Sequence, residues 1–202
     1  KSVDGGKPWK DMGLKGSVQI GKVVIHPTNP DVVYVAALGR LYGPNAERGL
    51  FKTTDGGKSW NRVLFVDDRT GAMDVAMHPT NPNTLIVSTW ERRRDEFDSF
   101  RGNATKPDGT DEYAPVVVHG PGSGLYRTTD GGKTFSRLTM GLPKAKLGRI
   151  GVDYSRKNPD TVFAIIDTDR VGMGNPPPPK DEFGYLGIMG EDGPGGAKLT
   201  AI

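Results

Sequence analysis

Apolar residues in this chain gather in short runs, β-branched or alternating with polar ones, and Gly, Pro and Asn close nearly every run. Val18 to Ile25 and Thr70 to Met77 each lead into His-Pro-Thr-Asn-Pro, whose prolines stop a helix and set a reversal. The runs that follow, Val32 to Ala37 and Thr84 to Thr89, have the length and β-branched content of strands. Gly49 to Thr54 and Gly124 to Thr129 alternate apolar with polar positions and then enter Asp-Gly-Gly. Asn61 to Val66 and Ser136 to Leu138 read as the strands that leave those turns.

The runs repeat. Ser2-Val-Asp-Gly-Gly-Lys-Pro-Trp9, Thr53-Thr-Asp-Gly-Gly-Lys-Ser-Trp60 and Thr128-Thr-Asp-Gly-Gly-Lys-Thr-Phe135 align without a gap. His26-Pro-Thr-Asn-Pro30 and His78-Pro-Thr-Asn-Pro82 alternate with them, and Ser155-Arg-Lys-Asn-Pro159 is a degraded third copy. Asp4 and Asp55 are 51 residues apart and Asn29 and Asn81 are 52 apart, whereas the next intervals are 75 and 77. One unit is therefore about 51 residues, and the second carries about 24 more. Four short strands in a unit of that length predict a β-propeller blade. The chain reads as all-β, a partial propeller of four-stranded antiparallel blades.

The repeated turn has a mechanical explanation. Asp4, Asp55 and Asp130 can accept hydrogen bonds from the amides of their own turns. Gly6, Gly57 and Gly132 allow left-handed backbone angles there. Ser2, Thr53 and Thr128 open the pattern, and Trp9, Trp60 and Phe135 are expected to fold over the hairpin and bury its base. These twelve residues are read as structural rather than as ligand contacts.

The Ser/Thr-x-Asp-x-Gly-x-x-aromatic element resembles the Asp-box, or bacterial neuraminidase repeat, of sialidases, xyloglucanase-type glycoside hydrolases and sortilin-type receptors. Gly43 to Trp60, Val63 to Ala72, Gly120 to Tyr126 and Leu147 to Val152 look more closely like large bacterial proteins described as sortilin-like or glycosyl-hydrolase-like. The resemblance covers about residues 1 to 170. It implies an Asp-box propeller in a secreted, periplasmic or cell-envelope protein that binds a protein or peptide partner. It leaves a glycoside hydrolase, with a site needing blades absent from this chain, and a structural subunit of an envelope assembly as the other readings.

The expected layout is the closing hairpin of one blade at 1–15, blades at 16–67 and 68–142, and the start of another at 143–170. Further blades or other chains would complete the ring. Residues 171–183, with four consecutive prolines, read as an extended spacer. Residues 184–202 read as two strands around a Gly-rich turn. Tyr185-Leu186-Gly187-Ile188 is similar to the loop of bacterial PDZ domains in which backbone amides take a peptide carboxylate.

Composition then removes chemistry. The chain holds no Cys among 202 residues, so disulfides, zinc-thiolate sites and cysteine nucleophiles are excluded. No apolar run approaches the length of a membrane-spanning helix. A net charge of +3 from 27 basic and 24 acidic residues gives no ground for nucleic-acid binding. No metal site or cofactor is predicted. For catalysis, Arg40, Arg92 and Arg149 are placed at comparable points of different blades, and Asp67, Asp68, Asp95 and Asp153 are available carboxylates. No pair among them is singled out by spacing, so no catalytic residue is assigned. His26 and His78 occupy one repeat position and read as turn residues, which leaves His119 apart.

The surplus of the second unit falls between Trp90 and Gly124. Arg92, Arg93 and Arg94, with Phe97, Phe100 and Tyr113, make a loop of aromatic anchors among charges. That composition marks it as the expected partner surface.

Overall fold

The computed structural model describes residues 1–93 and 117–170, and the backbone of 188–193 and 196–201. Strands β1 (Ile20–Ile25), β2 (Val33–Ala37), β3 (Gly49–Thr53) and β4 (Asn61–Leu64) form one antiparallel sheet in that order. Strands β5 (Thr70–Met77), β6 (Leu85–Glu91), β7 (Gly124–Thr128) and β8 (Ser136–Leu138) repeat it. Strands β9 (Leu147–Tyr154) and β10 (Val162–Thr168) pair as a third sheet, two-stranded among the described residues. Strands β11 (Ile188–Gly193) and β12 (Gly196–Ala201) form a separate hairpin. The chain is a partial β-propeller, and residues 94–116 and 171–187 lie outside the described residues.

Sheet faces alternate between neighbours, as a pleated strand requires. Tyr34, Ala36, Leu50 and Leu64 from the first sheet meet Ala72, Val75, Leu85 and Val87 from the second in one buried cluster. The next residues along the same strands, Ala76 and Ile86, turn the other way and pack with Ile150, Val152 and Tyr154. Two glycines permit the close approach of the sheets. A Cβ on Gly21 would fall on the carbonyl oxygen of Met73, and one on Gly71 would fall on that of Leu38.

The inner strands of all three sheets converge on Asp74. Its Oδ1 accepts the Val75 amide at 2.8 Å and lies 3.0 Å from Lys22 Nζ on β1. Its Oδ2 accepts the Val152 amide of β9 at 3.0 Å. The register of β5 slips between Ala72 and Asp74, and this bulge frees the side chain for that role.

Three expectations change. Strand β1 starts at Ile20 rather than Val18, because Leu14 and Val18 both take left-handed φ, at 59° and 56°, around a 3-10 turn at Lys15–Ser17. Residues 1–15 contain no strand: Lys1 and Lys10 exchange two backbone hydrogen bonds of 2.6 and 2.8 Å, a single rung on either side of the turn. Trp9 does not bury the base of its turn and stays 75% exposed. Its Nε1 bonds Gly6 O at 2.9 Å instead, and no sheet among the described residues covers it.

Candidate functional site

A meander of four strands puts its β1–β2 and β3–β4 turns at one end and its remaining loops at the other. At the first end the repeats are nearly superimposable in bonding. His26 Nδ1 accepts the Thr28 amide, His78 Nδ1 accepts those of Thr80 and Asn81, and Ser155 Oγ accepts that of Asn158. All three histidine or serine positions close the same turn. His78 also stacks edge-on against Tyr154, with ring centroids 5.1 Å apart.

The Asp-Gly-Gly turns sit beside them. Thr53 Oγ1 accepts the buried Gly57 amide at 2.9 Å and donates to Asp55 Oδ1 at 2.7 Å. Asp55 Oδ1 also accepts the amides of Lys58 and Ser59, and its Oδ2 accepts the Ser59 hydroxyl at 2.6 Å. Thr128, Asp130, Gly132, Lys133 and Thr134 repeat every one of these bonds. The hydrogen bonds from Ser59 and Thr134, followed by those from Thr53 and Thr128, hold both carboxyls far below the ordinary carboxylate range. In the first turn Ser2 and Gly6 keep their bond, but Pro8 replaces the serine or threonine and offers Asp4 neither N–H nor O–H. The sequence pattern had passed over Ser59 and Thr134. Their signal was a hydroxyl directly before the aromatic residue in the two complete copies.

Neighbouring sheets are clasped here as well. Lys52 Nζ and the Tyr34 hydroxyl both donate to Gly131 O, at 2.7 and 2.9 Å, and Lys1 Nζ reaches Gly56 O at 3.4 Å. Lys1, Lys52 and Arg127 occupy one repeat position, immediately before the Ser or Thr of each turn.

At the opposite end the loops are mostly unlike, with one bond repeated: Arg62 donates to Ala46 O and Arg137, at the same repeat position, to Pro121 O. The β2–β3 loop folds around Arg48, which is 2% exposed and donates to the carbonyls of Leu38, Arg40 and Gly43. Burial and the neighbouring Arg92 pull its pKa down, and Asp67 and Asp68 partly oppose them. In the second sheet Arg92 donates to Gln19 Oε1 at 2.7 Å and lies 4.7 Å over the Trp90 ring, an attractive cation–π arrangement. Trp90 Nε1 bonds Val118 O, and Arg93 and Val117 exchange two 3.0 Å backbone bonds that close the base of the long insertion. Glu91, 8% exposed, accepts the Gly122 amide. His119 Nε2 and Asp167 Oδ2 approach to 3.1 Å across sheets two and three.

Among the expected partner residues, Arg92 and Arg93 thus flank the root of the insertion, and Arg94, Phe97, Phe100 and Tyr113 lie outside the described residues, as do Asp95 and Tyr185 to Gly187. Ile188 opens β11. Arg40 and Arg92 share a repeat position after the second strand of their sheets, but Arg149 does not. It lies on β9, a first strand, where it alternates with Ile150 and Val152 to face outward. The three arginines are therefore not equivalent. Asp67 accepts the amides of Arg69 and Thr70, and Asp153 accepts that of Tyr154, so both serve turn and strand geometry. The groups of acidic and histidine residues needed to hold a metal are absent among the described residues.

Residues 1–105 match the family described as Sortilin-Vps10, "Sortilin, neurotensin receptor 3". The vacuolar protein sorting/targeting protein PEP1 of Saccharomyces cerevisiae is 25% identical over 177 residues, covering 83% of this chain and 10% of that protein. This chain thus spans about a tenth of the length of the curated relatives it matches. Among solved structures, an ancestral GH74 enzyme is 22% identical at a TM-score of 0.48, over 72% of this chain and 16% of that one. The GH74 xyloglucanase of Xanthomonas campestris is 16% identical at a TM-score of 0.49, over 90% and 21%.

Proposed function

This chain belongs to the Sortilin-Vps10 family, and from that membership we propose that it is a non-catalytic propeller scaffold binding a protein or peptide through its non-repetitive end. The asymmetry between the two ends carries the reading. One end is spent on identical turns whose polar groups satisfy one another. The other presents unlike loops on the same rigid sheets, the usual arrangement for binding. Trp90 and Arg92 form its best-defined contact surface, a planar cation stacked on an indole and held by Gln19, beside the root of the insertion. Aromatic and arginine residues of this kind dominate interface energies.

In the same reading the protein is exported or resides in the cell envelope, residues 171–183 are a spacer, and 184–202 open a PDZ domain. The carboxylates favour binding over hydrolysis. Asp67 and Asp153 are engaged with their own backbone, whereas glycoside hydrolysis needs two carboxyl groups facing one bond.

A displayed peptide library panned against the chain tests the proposal. Peptides enriched by the wild type should lose binding to Trp90→Ala and Arg92→Ala, and to a chain lacking residues 95–118. Enrichment that survives all three changes would refute it. So would turnover of a sialoside or xyloglucan that is lost on changing Arg92, Arg149 or Asp153.

A further inference from the structure

Every copy of the repeated turn contains an Asp-Gly pair: Asp4-Gly5, Asp55-Gly56 and Asp130-Gly131. Such a pair is chemically labile, because glycine carries no side chain to shield its nitrogen from the carboxyl before it. The nitrogen attacks Cγ of the aspartate and an N–Cγ bond forms. The Cγ–O bond of the neutral carboxyl breaks, and its hydroxyl leaves with the amide proton as water. Water then reopens the cyclic imide at either carbonyl. Opening at the former main-chain carbonyl leaves isoaspartate, in which the backbone runs through Cβ and Cγ and no atom has been gained or lost.

Two of the three turns oppose this chemistry at each step. The carboxyl of Asp55 is held on Lys58 and Ser59 by bonds to both its oxygens, which must break before Cγ reaches the Gly56 nitrogen. Asp130 is held on Lys133 and Thr134 in the same way. The attacking nitrogens are occupied too: the Gly56 amide donates to Asp31 O at 3.0 Å, and that of Gly131 to Asn83 O at 2.8 Å. Hydrogen bonds led by those of Ser59 and Thr134 keep both carboxyls ionised, the form from which water does not leave. Asp4 differs. Its Oδ1 accepts the Ser2 hydroxyl and the Lys7 amide, but Pro8 brings neither the amide nor the hydroxyl that Ser59 and Thr134 supply. That difference is set by residue 8 itself and not by what flanks the chain.

We propose that the hydroxyl and amide of Ser59 and Thr134 lock their turns against imide formation, and that Asp4, which lacks both, is the modification site where this chain accumulates isoaspartate. The hydroxyl before the aromatic residue then has a role besides stability: it preserves the covalent structure of its turn as the protein ages.

Peptide mapping after several weeks in warm neutral buffer tests this. Chymotrypsin is the protease of choice, because cleavage at Trp9, Phe51, Trp60, Tyr126 and Phe135 yields three distinct peptides, 1–9, 52–60 and 127–135. Trypsin would release 53–58 and 128–133 as the same sequence. Electron-transfer fragmentation then separates isoaspartate from aspartate at equal mass. In the folded wild type, isoaspartate should form at Asp4 at least tenfold faster than at Asp55 or Asp130, and in concentrated urea the three rates should converge. Ser59→Ala should raise the rate at Asp55 severalfold and leave Asp130 as it was. Thr134→Ser, which keeps the hydroxyl, should leave Asp130 protected, whereas Thr134→Ala should not. Pro8→Ser should slow the reaction at Asp4 severalfold. Equal rates at Asp4 and Asp55 in the folded wild type would overturn the proposal, as would a Ser59→Ala chain in which Asp55 stays protected. If Ser59→Ala raises Asp55 and Asp130 together, the whole fold has loosened and Pro8→Ser decides: a slower Asp4 upholds the proposal and an unchanged one overturns it.

Discussion

Thr53→Val removes one hydroxyl and almost no volume, which makes it the sharpest probe of the Asp-Gly-Gly turn. The side chain is 1% exposed, and its Oγ1 is the acceptor for the Gly57 amide, itself buried. Valine keeps the shape but leaves that N–H without a partner and takes a donor from Asp55. A stranded buried donor costs about 1–3 kcal/mol, and water cannot replace the bond without opening the turn. Thr128→Val should behave alike, because Gly132 is held by the same 3.0 Å bond. Ser2→Ala provides the contrast. Its turn stands outside any sheet and Asp4 bonds are exposed, so the expected change is within about 0.5 kcal/mol, as for ordinary surface substitutions. Urea unfolding followed by tryptophan fluorescence gives the comparison, with the midpoint moving and the slope held. If Thr53→Val shifts the midpoint no more than Ser2→Ala, the hydroxyl is not what holds the turn and the reasoning fails.

Asp74→Ala should lower stability by about 1–3 kcal/mol, because the Val152 amide loses its acceptor and Lys22 its counter-ion; Asp74→Asn, which keeps one carbonyl oxygen, should lose less, and equal losses would contradict the three-sheet role. Acid should weaken the fold through Asp55 and Asp130. Both bind protons less readily folded than unfolded, so their stabilisation is complete above the ordinary Asp pKa of about 3.9 and is lost as pH falls toward their lowered folded values. The urea midpoint should therefore be insensitive to these groups between pH 5 and 8 and decline below about pH 4, with the decline reduced in an Asp55→Asn/Asp130→Asn double variant. Gly21→Ala should destabilise more than Gly151→Ala, since a methyl group at 21 meets Met73 backbone while 151 has open space around it; a thermal scan that ranks them the other way would show that the inner strands can shift apart.

Strands and turns were legible because each is specified within a few residues. Val32 to Ala37 and Thr84 to Thr89 as strands, and the reversal at Pro-Thr-Asn-Pro, follow from local β-branching and from proline. The position of Asp74 was not legible. Its use depends on a one-residue bulge and on an amide 78 positions away, so no local pattern announces it. Trp9 shows the converse. It matches Trp60 in sequence, yet Trp60 bonds Met12 O beneath a covering segment and Trp9 has no such cover. Arg48 reads as one more surface charge until the loop closes around it. The hydrogen bond from Arg92 to Gln19 spans 73 positions, to the segment just before β1, which only the folded chain brings within reach.

Because the second sheet shares one buried cluster with the first and another with the third, these three sheets are coupled thermodynamically in series. Among the described residues the sheet of β5 to β8 packs on a neighbour at both faces, while the first and third pack on it alone. Packing on both faces raises the free energy of opening a sheet above that of one packed on a single face. Amides of β6, including those of the fully buried Val87 and Ser88, should therefore exchange with solvent more slowly than those of the exposed β10.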